Sequence, residues 1–127
     1  MTPEVPAVLM QLAGVVARSA DPGVPDAERA SDLAISAMLL TIAAEVWDGA
    51  AARLVEENRA LRALLGDTGS DDDLHISALK AANDALRARL VAAHIAAEQA
   101  GDTARQDAIW AELVRSTERR KLSISLV

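Results

Sequence analysis

Four side chains could do chemistry if the chain folded to gather them: Glu45, Asp48, His94 and Glu98. If the segments holding them form two antiparallel helices, all four stand one step past the helix contact line and at matching depth. A histidine among three carboxylates inside a helical bundle can ligate a divalent metal or act as an acid/base group. Di-iron bundles take paired Glu-x-x-His motifs on two helices, and this chain has none. The competing reading is a solvated strip with a half-buried, hydrogen-bonded histidine. A second pair, Asn58 and Asn83, sits in the similar strings Asn58-Arg59-Ala60-Leu61-Arg62 and Asn83-Asp84-Ala85-Leu86-Arg87. Opposed amides could hold a polar ligand or an anion with the nearby arginines; the favoured reading is that they fix helix register, as a buried asparagine does in coiled coils. Asp71-Asp72-Asp73 lacks the alternating ligands and closing glutamate of a calcium loop. Those acids suit the approach to a helix N-terminus, and the adjacent His75 reads as surface.

The elements that must position these groups are two long helices, over 26–65 and 73–99. On the first, Leu33, Ala37, Leu40, Ala44, Trp47, Ala51, Leu54, Asn58, Leu61 and Leu65 alternate spacings of four and three. That is a heptad seam, the pattern of a helix lying along one partner. Ile76, Leu79, Asn83, Leu86, Leu90, Ala93 and Ala97 repeat it. Gly66 to Asp72 contains two glycines and several capping residues, so the chain should reverse there. An antiparallel hairpin then sets Leu61 against Leu79, Leu54 against Leu86, Trp47 against Ala93 and Asn58 against Asn83. Charged pairs expected beside the seam are Arg59 with Asp84, and Arg53, Glu57 and Arg89 in a ladder. If the asparagines serve only register, replacing both by leucine should raise the melting temperature while loosening oligomeric state.

Up to Trp47 the off-seam positions Ile35, Met38, Leu39, Ile42, Ala43 and Val46 are also apolar, so this half calls for several neighbours. Shorter helices are expected over 3–19, with Thr2 as N-cap and Pro3 at the first position, and over 102–121. Both attach at the apolar half of the long helix, which predicts an all-α bundle of four helices, a single domain over 1–127, with the turn end of the hairpin projecting beyond the two shorter helices. Val55 and Leu64 on the projecting part would be covered by a second copy, giving a homodimer. The ordered tail over 122–127 alternates Leu122, Ile124 and Leu126 with serines and suits the bundle, a subunit contact or a protein partner's groove.

Composition narrows the classes. Half the residues are apolar, aromatics are 2%, and alanine dominates, which favours closely packed helices over strands. Absence of cysteine excludes disulfides, thiolate metal sites and cysteine nucleophiles. A net charge of -6 argues against nucleic acid. Glu4 and Arg18 stand where a signal peptide needs a basic start and a small cleavage residue, and Leu33 to Ala44 is too short an apolar run to cross a bilayer. The expectation is a soluble, cytoplasmic protein with no membrane partner and no cofactor.

Ala63-Leu64-Leu65-Gly66, Gly101, and the ending with Trp110, Leu113 and Lys121-Leu122-Ser123-Ile124 resemble the C-terminal half of an uncharacterised family of small bacterial all-helical proteins, encoded near acyl-CoA dehydrogenases and phosphotransferase-like kinases. The resemblance spans about half the chain and lacks that family's Asn-Pro ending. It implies an accessory role in acyl-CoA or kinase-linked metabolism and no catalytic residues. Two functions follow: a non-enzymatic, oligomeric interaction or accessory protein, or a small-molecule or metal-binding bundle, possibly an enzyme, centred on Glu45, Asp48, His94 and Glu98 beside Trp47.

Overall fold

A computed structural model describes residues 4–123. The protein is all-α, with four helices: α1 (Val5–Ser19), α2 (Asp26–Leu65), α3 (Ile76–Ala100) and α4 (Thr103–Arg119). Among the described residues there is no strand. Gly49 is accommodated inside α2. The expected N-cap Thr2 and first-position Pro3 lie outside the described residues, as do Ile124 and Leu126 of the tail; α1 starts after Glu4, with Pro6 in its first turn.

α2 and α3 stop at glycine caps. Gly66 and Gly101 take φ values of 69° and 65°, a left-handed conformation that costs a residue with a Cβ about 1–2 kcal/mol. The turned chain then returns amides to the last carbonyls: Asp67 N–H donates to Arg62 O at 2.8 Å, and Asp102 N–H to Ala97 O at 2.9 Å. Asp102 also caps α4 by accepting from the Arg105 N–H at 3.0 Å. α3 begins three residues later than the sequence predicts, at Ile76. The acids before it are used otherwise: Asp73 turns back on the His75 N–H at 2.9 Å, and Asp71 points inward to Arg62.

The chain divides into two compact units, Met1–Gly49 with Leu122–Val127, and Ala50–Lys121. In the N-terminal unit α1 runs back along α2. Ser19 donates to Asp32 at one end, and at the other Val5 packs with Ile42, Ala43 and Val46, with Leu39 and Leu122 alongside. Ser123 ties the chain down by donating its N–H and hydroxyl to Glu45, at 2.6 and 2.9 Å.

In the C-terminal unit the second half of α2, α3 and α4 share a core of Leu61, Leu86, Leu90 and Ile109, with Leu64, Leu65 and Leu113 packed against it. This corrects two expectations. The far half of α2 has two helical partners rather than one, because α4 lies on it; and Leu64, expected to await a second copy, is packed within its own chain. α4 reaches the level of Glu57, where Ser116 and Arg120 meet that carboxylate, and α2 continues past it to Leu65.

Candidate functional site

Asn58 and Asn83 meet, with the Asn83 amide donating to Asn58 Oδ1 at 3.0 Å. They belong to a much larger polar cluster. Asn58 is fully buried; its amide donates to the Leu79 carbonyl at 3.1 Å and to both oxygens of Asp71 at 3.2 Å. Arg62 grips the same Asp71 at 2.6 Å. On the other side Asn83 donates to Glu57 at 3.1 Å and accepts from Arg87 at 3.1 Å. Glu57, 3% exposed, is the hub: it also accepts from Arg87, from Ser116 at 3.2 Å and from Arg120 at 2.9 and 3.1 Å. One turn along α4, buried Glu112 takes both terminal nitrogens of Arg119 and the Nε of Arg115.

Helix spacing alone sets Glu57 in an exposed ladder with Arg53 and Arg89. In the structure Glu57 is buried among α2, α3 and α4, Arg89 reaches out to Asp67, and Asp84 takes Lys80 at 3.2 Å. The missed residues were Glu57, Arg87, Glu112, Ser116 and Arg120. The spacing of Asn83 to Arg87 and of Glu112 to Arg115 and Arg119 carried the only signal, that of side chains stacked on one helix face.

Burial alone would push the Glu57 carboxyl up. Hydrogen bonds from Asn83 and Arg87, with the charges of Arg87 and Arg120, outweigh it and hold the group below the ordinary glutamate value. The Arg62 hydrogen bond, against some burial and with help from Asn58, does the same for Asp71. A carboxylate whose value is lower folded than unfolded contributes stability that is present above its unfolded value and is lost as pH falls through its folded one. Unfolding midpoints in urea should therefore fall steeply below about pH 4, and a flat profile down to about pH 2 would show that these pairs add nothing.

Of the four residues that could do chemistry, Glu45 and Asp48 belong to the N-terminal unit, and His94 and Glu98 to the C-terminal unit. Glu45 is engaged by Ser123, and Asp48 is exposed. His94 and Glu98 lie on α3 with His94 Nε2 and Glu98 Oε1 3.7 Å apart, beyond hydrogen-bond distance. The His94 ring meets Trp110 edge-on at 6.0 Å, and its Nε2 is shielded without a hydrogen-bond partner. Among the described residues no group of three or more His, Asp or Glu side chains is placed to hold a metal ion.

What the N-terminal unit presents is apolar surface. On α2 one stripe is covered: Ser36, Ile42, Ala43 and Val46 are buried. The seam in this half, Leu33, Ala37, Leu40, Ala44 and Trp47, is exposed throughout. Trp47, expected to face Ala93 in a packed layer, is 55% exposed. Ile35 and Met38 on α2 and Leu9, Met10 and Val16 on α1 are exposed as well. By length and composition α2 is apolar enough to cross a membrane. No protein-family model, curated protein or solved structure matches the chain.

Proposed function

We propose that this is a non-enzymatic, soluble interaction protein of the cytoplasm, in which the C-terminal unit is a scaffold locked by internal ion pairs and the N-terminal unit carries the contact surface. One observation carries the reading: eight large apolar side chains stand exposed on α1 and the first half of α2, more than a free monomer ordinarily leaves in one region. The chemistry of the C-terminal unit agrees with it. Glu57, Asp71 and Glu112 are each neutralised by arginines of the same unit, which leaves these carboxylates committed to structure rather than to a substrate. The resemblance to bacterial proteins encoded beside acyl-CoA and kinase genes suits an accessory role of this kind.

Replacing Leu33 and Leu40 together by aspartate tests the contact surface. Both are nearly half exposed, so stability should change by only about 0.5 kcal/mol, while any assembly or partner binding shown by the full chain is lost. Loss of the α1 and α2 helical signal in circular dichroism would make these residues core instead, and unchanged solution behaviour would remove the contact reading. The rival, a metal-binding bundle at His94, would be favoured by a stoichiometric divalent metal retained by purified protein and lost on His94→Ala.

A further inference from the structure

The open seam has an internal order that specifies what fits it. Extended back by one position it reads Ala30, Leu33, Ala37, Leu40, Ala44, Trp47, with spacings of three and four, and all six residues are exposed. Small and large side chains alternate without exception. In heptad terms one edge of the seam is all alanine and the other is leucine, leucine and tryptophan. In an antiparallel pair of helices, the two edges oppose each other across the interface. A second copy of the same seam, run antiparallel, therefore sets Leu33 against Ala44 of the second copy, Leu40 against its Ala37, and Trp47 against its Ala30. Every large group then meets a methyl, and the arrangement is closed by a two-fold axis passing between Ala37 and Leu40. A parallel pair would set alanine against alanine and leucine against leucine.

We propose that two copies of this chain associate through α2, antiparallel, along Ala30 to Trp47, a contact about 25 Å long. The proposal rests on the contact reading above and names its partner and register. At roughly 200 Å² for a fully exposed large side chain, the exposed fractions of the three large seam residues, Leu33, Leu40 and Trp47, amount to on the order of 300 Å², the apolar centre of a contact smaller than the standard one of about 800 Å² per partner. Charge leaves the seam free to close on itself, since no residue from Leu33 to Ala44 is charged. An anionic lipid surface is the poorer occupant: up to Gly49 the chain has seven acidic residues and two arginines, where membrane surfaces recruit basic clusters.

The register has a compensating test. Sedimentation equilibrium of the full chain should give twice 13.3 kDa. Ala37→Leu sets leucine against leucine on both sides of the axis, and Leu40→Ala sets alanine against alanine; each should weaken association by on the order of tenfold or more, because every change is felt twice. The double variant, Ala37→Leu with Leu40→Ala, swaps the partners and should restore it. In a Trp110→Phe background, Trp47 emission should shift to the blue as protein concentration rises through the association range. A 13.3 kDa species at all concentrations, a dimer indifferent to both single changes, or a double variant weaker than either single one overturns the proposal. Flotation of monomeric protein with phosphatidylcholine vesicles, or a monomer that binds a different protein through Leu33 and Leu40, also overturns it while leaving the contact reading standing.

Discussion

Glu57→Ala is expected to destabilise the C-terminal unit by about 3 kcal/mol, the low end of the range for removing one member of a buried ion pair. The carboxylate accepts from Asn83, Arg87, Ser116 and Arg120, so its loss strands four donors, two supplied by α3 and two by α4 and its C-cap. Two features set the magnitude. Arg87 and Arg120 retain about a third of their side-chain exposure and can rehydrate, which moderates the cost; Asn83, 4% exposed, cannot. Urea denaturation followed by circular dichroism measures the change. A loss under about 0.5 kcal/mol, the ordinary range for a surface substitution, would mean that α4 is held by its apolar contacts alone. Glu57→Gln separates charge from shape, since it keeps an acceptor for Asn83 while removing the attraction for both arginines.

The double replacement of Asn58 and Asn83 by leucine is the second large effect, and its sign reverses the expectation drawn from sequence. Two facing asparagines that serve only register can be exchanged for leucine with a gain in stability, because an isolated amide pair contributes less than the apolar area that replaces it. Here the amides are not isolated. Asn58 supplies donors to the Leu79 carbonyl and to Asp71, and Asn83 supplies one to Glu57. Leucine in both places leaves a buried carbonyl and two carboxylates short of hydrogen bonds, at about 1–3 kcal/mol for each group stranded. The melting temperature should fall. A thermal melt in which it rises would show that water or the arginines satisfy those acceptors unaided.

Both effects bear on why the two units are built so differently. The C-terminal unit buries charge and resolves it internally, with Arg62, Arg87, Arg119 and Arg120 each committed to a carboxylate. The N-terminal unit buries one apolar stripe of α2 and leaves the remainder open. A helix apolar on most of its circumference is stable in water only when other elements cover it, and α1 supplies one such element. Self-pairing of α2 would cover a second stripe, that of Leu33, Leu40 and Trp47.

Local sequence alone set the four helices and the stops of α2 and α3, while the start of α3 moved to Ile76. Heptad spacing, Gly66 and Gly101, and Asp102 before α4 each act within a few residues, where backbone sterics and capping decide the outcome. It also determined that residues 58 and 83 would meet, because in an antiparallel hairpin a slip of one heptad would bury each amide against leucine. Where α4 would lie, which face of α2 would stay open, and that Glu57 would be turned inward were decided by tertiary structure alone. Those outcomes depend on contacts between residues 29 to 63 positions apart in the chain, Arg87 with Glu57 and Arg120 with Glu57 among them. Whether a charged side chain on a helix is solvated or buried is set by which neighbour arrives opposite it, and periodicity along one helix carries no record of that neighbour.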